Sequence, residues 1–292
     1  MLLVYNAVPK SASLPLAHLI NLLSTPNNFS FHFEFHAPNE RPVSAPTAQL
    51  HALQPPAAFV SHMAFTRHAP PGTAWIQLVR EPVARMQSLY YYLQSQTDAY
   101  SRTYMTAANI TERTADARCG CLGMPFDECV QRRAARNCSL TVDTQLGFFC
   151  EGGRADLAEA LANLQQGYRL VGLAEAFEDS VIGFERVLPQ FFRGAGALLR
   201  DPANAYLLHG HRTVPSPSVV RPLQGRGSAS AGACVSMETR RILADLATNY
   251  AEESAFYDEA ARLFFKRSGG LASDATLLMG QRSCSRAAVL TS

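Results

Sequence analysis

The chain has 292 residues, 47% of them apolar, and 26 Lys and Arg against 24 Asp and Glu leave a net charge of +2. That length suits one large α/β domain or two small ones, with enough apolar residues for a sizeable core. The near-neutral balance provides no global field for nucleic acid, so any site for a polyanion must be a local patch.

The opening stretch, MLLVYNAVPK, runs directly into a strand and turn over residues 1–13, with no signal peptide ahead of it. No apolar run approaches the roughly 20 residues that span a bilayer. The expectation is a chain soluble in the cell, or one that follows an upstream targeting segment. Residues 14–24 place Leu16, Leu19, Ile20 and Leu23 at helical spacing. FSFHFEFH alternates apolar and polar residues from Phe29 to Phe35, a half-buried strand. Residues 36–58 mix loop with a short helix, and AAFVSHMAF is a short strand ending near His62. AWIQLV is a continuous apolar run, as in a buried parallel strand. Arg80 and Glu81 end it. Pro82 suits the first position of the following helix, whose inner face is Val83, Met86, Leu89, Tyr90 and Leu93.

Residues 97–124 read as an irregular polar insertion, and PFDECVQRRA opens another helix. A strand over 168–173 leads into a helix through about residue 188, and 200–235 reads as Pro-, Gly- and Ser-rich loop. Residues 237–266 form one long amphipathic helix with Ile242, Leu243, Leu246, Tyr250, Phe256 and Tyr257 on its face. The small polar residues beyond Ser268 read as a disordered tail. Strands alternating with helices predict α/β architecture, a central parallel sheet flanked by helices.

Five of the seven cysteines fall between 119 and 150, with no His in that block and no zinc-like spacing. A disulfide cluster in an oxidising compartment fits better than zinc. Three sequons, at Asn28, Asn109 and Asn137, point the same way.

Two strand-to-helix turns carry the candidate chemistry. The first holds Lys10, Ser11 and Ser13, and the second Arg80, with Ser88 two helical turns further on. In a parallel sheet both turns lie at the carboxyl ends of strands, where ligands bind. His62 also follows a strand. Such a set of groups suits a ligand with two phosphate-like ends. The residues around Lys10 leave two readings open. One is an anion cradle at a helix N-terminus; the other is an N-cap by Ser11 or Ser13, with Lys10 solvated. The GxxxxGK[ST] loop of nucleotide-triphosphate enzymes is absent, which makes a nucleotide kinase the weakest option. For Arg80 the alternative is a salt bridge to Glu81 or Glu34. For His62 it is a core or surface histidine, with His68 as a rival.

In order along the chain, several blocks resemble the Golgi uronyl 2-O-sulfotransferases, which act on heparan sulfate or on chondroitin and dermatan sulfate. VYNAVPKSAS resembles that family's YNRVPKTAS, and WIQLVREPVARMQSLYYYL resembles YINVIRDPIERLVSYYYFL. FDECV, FFC, LVGLAEAFEDSVIGFERVLPQFFRGA and HRTVPSPS follow in the family's order, so the resemblance covers most of residues 4–265. It implies a P-loop-like sulfotransferase fold, with one catalytic domain over 1–267 and a tail over 268–292. It also implies the donor 3′-phosphoadenosine 5′-phosphosulfate (PAPS) and no metal. Lys10, Ser11, Ala12, Ser13 and the N–H of Leu14 would grip the 5′-phosphosulfate, Arg80 and Ser88 the 3′-phosphate, and Arg212 and Thr213 the adenine end. His62 matches the catalytic base and Lys10 the group that stabilises the leaving phosphate. The acceptor would be a uronic acid 2-hydroxyl of a glycosaminoglycan. Alternatives are another polysaccharide acceptor or a non-catalytic glycan-binding relative. The family further implies a lumenal Golgi domain of a type II membrane protein and a homo-oligomer, a trimer by the same resemblance.

The chain also departs from the family. Ala7 stands where relatives carry an arginine, Leu14 where a hydroxyl is common, and Val60 where heparan members have a second histidine. Cys129 and Cys138 match a family disulfide. Cys150 matches half of a second bridge whose partner is missing, which leaves Cys119 or Cys121 as its mate, or a free thiol. Arg102, Arg113, Arg118, Arg132, Arg133 and Arg136 are candidates for acceptor binding.

Overall fold

The computed structural model describes residues 1–34, 42–95, 119–121, 123–142, 144–204 and 235–268. Its apolar runs become strands because they are short, bounded by turns and buried on both faces. In chain order these are β1 (Leu2–Asn6), α1 (Ser13–Ser24), β2 (Ser30–Glu34), α2 (Thr47–Ala52), β3 (Ala57–Ser61), β4 (Ala74–Val79) and α3 (Pro82–Ser95). Then come α4 (Phe126–Ala135), α5 (Leu146–Phe149), α6 (Leu157–Gln166), β5 (Tyr168–Leu173), α7 (Phe177–Val187), α8 (Pro189–Phe192), α9 (Ala195–Arg200), α10 (Met237–Leu246) and α11 (Tyr250–Arg267).

The described residues fall into two compact units. The first draws on Met1–Arg80, Thr144–Arg221 and Ala255–Ala272. It contains all five strands, every pairing parallel, in the order β2-β3-β1-β4-β5. Strand β1 is fully buried at the centre, with β3 and β4 on either side. The register sets Asn6 beside Ser61 and Tyr5 beside Ile76, so the strand ends that carry the candidate residues are neighbours. Rings of Phe65, Trp75, Tyr168, Phe149 and Phe256 pack at centroid distances of 4.6 to 5.4 Å beneath β4 and β5. At Gly172 of β5 an added Cβ would lie 2.6 Å from Ser180, whose Oγ accepts from the Leu173 N–H at 2.8 Å. Only glycine lets α7 approach the sheet this closely. Strand β2 forms, but at the sheet edge: Phe31 and Phe33 stack at 6.2 Å, and Phe33 is 44% exposed. The alternation predicts the strand correctly and its burial incorrectly.

The second unit draws on Glu81–Asp143, Pro222–Ser254 and Ser273–Ser292. Its core joins Val83, Met86 and Tyr90 of α3 to Phe126 and Val130 of α4 and Leu243 of α10. Glu81 caps α3 by accepting from the N–H groups of Ala84 (2.8 Å) and Val83 (3.3 Å), and it pairs with Arg240 at 3.1 Å. The single helix expected over 237–266 is two. Thr248 leaves helical geometry to bridge beside Thr141, donating from its N–H to the Leu140 carbonyl at 3.0 Å, and Asn249 turns the chain with φ 68°. Asparagine tolerates that left-handed conformation. Helix α6 is absent from the expectations, although its cap is legible as Asp-x-x-Glu: Asp156 accepts from the Glu159 N–H at 2.9 Å.

The disulfide expected between Cys129 and Cys138 is not formed. Cys119 pairs with Cys138 and Cys121 with Cys129, at Cα separations of 5.9 and 5.3 Å. Cys129 sits in the first turn of α4 and Cys138 beyond its end, separated by about 9 Å of helix rise alone, more than a disulfide tolerates. Cys150 is buried and free, and burial pushes its thiol pKa up to about 11. The folded chain therefore holds this proton where the unfolded chain has lost it. The group's contribution is full below pH 9 and declines as pH rises above the unfolded value of 9.0. Non-reducing digestion is expected to yield Cys119–Cys138 and Cys121–Cys129 peptides, with Cys150 alkylated at pH 8 only after unfolding. A Cys129–Cys138 peptide contradicts this pairing, and a readily alkylated Cys150 in the native protein contradicts its burial.

Candidate functional site

The carboxyl ends of β3, β1 and β4 lie side by side and carry His62, the Lys10 loop and Arg80 in turn. The loop from Ala7 to Ala12 is shaped by its backbone. Lys10 has φ 65° and Ala12 φ 58°, both left-handed, with Ser11 between them. A non-glycine residue there costs about 1–2 kcal/mol. Such strain persists where surrounding contacts fix it, commonly at ligand sites. Neither Ser11 nor Ser13 caps α1: the cap position is Ala12, and no side chain bonds to the helix start. The capping reading of these serines is therefore set aside.

Two side chains hold the end of β1 from below. Asn6 donates from Nδ2 to the Phe148 carbonyl (2.7 Å) and to the Tyr168 hydroxyl (2.8 Å). Gln77 donates to both oxygens of Asn6, and its Oε1 accepts from the N–H groups of Val8 (3.3 Å) and Leu78 (3.0 Å). Burial raises the Tyr168 phenol well above its ordinary range, and the Asn6 contact opposes that rise. The phenol therefore stays a neutral partner.

Above this layer the candidate groups meet. Arg80 donates from Nη1 to the Lys10 carbonyl at 3.1 Å, tying the β4 corner to the β1 corner. His62 places Nδ1 at 2.6 Å from the Ala7 carbonyl. A carbonyl only accepts, so Nδ1 carries the hydrogen and a neutral ring has its lone pair on Nε2. Ser11 is fully buried and donates to Gln145 Oε1 at 3.4 Å. Gln145, also fully buried, accepts from the Arg80 N–H at 2.9 Å and donates to the Arg80 carbonyl at 2.7 Å. The sequence expectations did not include Gln145 or Gln77. One lies inside an apolar run and the other before FFC, and no local signal marks either.

The structure thus brings Lys10, Ser11, Ala12, Ser13, His62 and Arg80 together in the first unit. Leu14 follows in the first turn of α1 and is 39% exposed. Ser88 belongs to α3 in the second unit and is half-buried. Arg212 and Thr213 lie outside the described residues, as do Arg102, Arg113 and Arg118. The exposed His68 uses its carbonyl to meet His51 Nε2 at 2.9 Å. Arg133 is a buried structural group: its guanidinium donates to the carbonyls of Cys119 (2.8 Å) and Ser139 (2.6 Å), which fixes the two ends of the Cys119–Cys138 loop.

A five-stranded parallel sheet flanked by helices is an α/β fold consistent with the sulfotransferase fold. Over 252 residues the chain is 27% identical to heparan sulfate 2-O-sulfotransferase 1 of Xenopus laevis, covering 77% of this chain and 65% of that protein. The human protein of the same name is 26% identical over 245 residues with the same coverage. The heparin sulfate O-sulfotransferase of Drosophila melanogaster is 27% identical over 248 residues, covering 77% and 66%. The chain therefore spans just under two thirds of the length of these relatives. No protein-family model matches it. These homologues support the uronyl 2-O-sulfotransferase family that its motifs resemble.

The strained loop gives a direct test. Ala12→Gly is expected to leave stability within about 1 kcal/mol of wild type, because glycine accepts φ 58° without steric cost. Ala12→Val, β-branched in that conformation, is expected to lose more than about 1 kcal/mol in urea unfolding. Equal effects of the two substitutions would show that the loop does not need its left-handed turn.

Proposed function

We propose that this protein transfers a sulfuryl group from PAPS to the 2-hydroxyl of a uronic acid in a glycosaminoglycan of the heparan or dermatan/chondroitin sulfate type. The observation that carries the reading is the pairing of two contacts on one loop. Arg80 is fixed to the Lys10 carbonyl, and His62 is oriented by the Ala7 carbonyl. The names of the homologues support the same reaction class.

The loop's residues fit a sulfonated nucleotide. Two left-handed residues, Lys10 and Ala12, turn the backbone sharply just before α1, and such turns of successive N–H groups suit an anion. The unsatisfied N–H groups at the start of the 12-residue α1 add partial positive charge. Lys10 would hold the 5′-phosphosulfate end, together with the backbone from Ser11 to Leu14. Arg80 would hold the 3′-phosphate, where a guanidinium fork matches two phosphate oxygens. When bound, the donor supplies an electrophilic sulfur and a phosphate leaving group.

The remaining chemistry belongs to the chain. A sugar hydroxyl is a weak nucleophile until its proton departs, and His62 Nε2 is the acceptor that the Ala7 contact selects. Lys10 balances the negative charge that grows on the leaving side. The rest is positioning by the strand ends. In this reading the protein works where glycosaminoglycans are assembled, in the Golgi lumen. Among the described residues no helix is long and apolar enough to cross a membrane.

Labelled sulfate transfer from PAPS to heparosan, N-sulfated heparosan, chondroitin and dermatan is the test. Label is expected at a uronic acid 2-position. His62→Ala is expected to lower kcat by about 10²–10⁴ while adenosine 3′,5′-bisphosphate still raises the melting temperature. At 100 times its Kd that nucleotide should stabilise the fold by about 2.7 kcal/mol. Wild-type rates from the His62 variant would remove the base assignment. Absence of any nucleotide-dependent shift in the native protein would remove the donor site.

A further inference from the structure

We propose that Gln145 is the positioning residue that holds Arg80 and the Ser11 end of the Lys10 loop in one geometry, and so sets how strongly the site grips the 3′-phosphate of its nucleotide. The inference rests on the donor-site reading above and adds a residue that the sequence motifs do not single out. A primary amide has one acceptor and one donor end, and here both are engaged on the same residue. Oε1 accepts from the Arg80 N–H at 2.9 Å, and Nε2 donates to the Arg80 carbonyl at 2.7 Å. This paired contact fixes the peptide planes on both sides of Arg80, and with them the direction in which its side chain leaves the end of β4. Oε1 also receives the Ser11 hydroxyl at 3.4 Å, across the two corners that Arg80 Nη1 joins through the Lys10 carbonyl.

Two independent links therefore tie the same pair of corners: one through the Arg80 guanidinium, the other through Gln145. Gln145 is fully buried, so its contacts are made without competition from water. It stands just before α5, and Phe148 of that helix accepts from Asn6 through its carbonyl. The segment that brings Gln145 to Arg80 is thus anchored to β1 as well. Gln145 lies 65 residues from Arg80 and 134 from Ser11, so neither contact is local in sequence.

The experiment measures the dissociation constants of adenosine 5′-phosphate and adenosine 3′,5′-bisphosphate for the wild type and Gln145→Met, an unbranched replacement of similar length. The ratio of the two constants reports the grip on the 3′-phosphate alone. It is expected to fall by about tenfold in Gln145→Met, the loss of roughly one to two buried hydrogen bonds. In an Arg80→Ala background the Gln145 exchange should leave the ratio unchanged, because its effect acts through Arg80. A merely structural role would weaken both nucleotides by the same factor and keep the wild-type ratio, which overturns the proposal. If Gln145→Met does not fold, Gln145→Glu tests the same point: a lowered ratio supports the positioning role and an unchanged ratio overturns it. A wild-type protein that binds neither nucleotide sinks the donor-site reading and the positioning role with it. Binding with an unaltered ratio in the variants sinks the positioning role alone.

Discussion

The hydrogen bond from the Arg80 guanidinium to the Lys10 carbonyl is the constraint on which the site depends. It joins two corners that are adjacent only because β4 pairs with β1 in parallel register. A one-residue slip of that register would turn every side chain of β4 to the opposite face and move Arg80 off its neighbour. Burial of β1 and β4 on both faces fixes the register. The chemistry at the strand ends therefore rests on apolar packing several residues away.

Polar groups take over where the apolar run stops. Asn6 and Gln77 sit at the level where backbone ladders end and loop geometry begins. Their amides bond the Val8 and Leu78 N–H groups and the Phe148 carbonyl. Leaving such groups unpaired in a dry interior costs about 1–3 kcal/mol each. The same layer holds the loop in shape, and the loop can then carry two left-handed residues at its tip. Stability in the lower layer is what permits strain in the upper one.

Much of this was legible in the sequence, for a physical reason. Lys10, Arg80 and His62 each follow an apolar run, and an apolar run that ends abruptly in a charged or polar residue marks the carboxyl end of a buried strand. Topology then collects such ends on one edge of a parallel sheet. What was illegible is long-range or depends on the third dimension. Gln145 meets Arg80 through a contact that no local pattern encodes. The cysteine pairing follows from the length of α4, which holds Cys129 and Cys138 apart, and not from their closeness in sequence. The break between α10 and α11 follows from a backbone bridge between Thr248 and Thr141, while the hydrophobic period runs on without interruption.

The departure at Ala7 bears on how such a site tolerates sequence drift. Relatives of the resembled family carry an arginine there, yet the group that orients His62 is the carbonyl of residue 7. A main-chain acceptor is present whatever side chain the position carries. The substitution therefore removes a positive side chain from beside the loop and leaves the imidazole tautomer unchanged. Lys10 shows the same logic from the other side, since it is its carbonyl that anchors Arg80. Orientation supplied by backbone atoms does not depend on which side chains stand at positions 7 and 10. A change of side chain at position 7 therefore alters the charge beside the loop without removing the contact that orients His62.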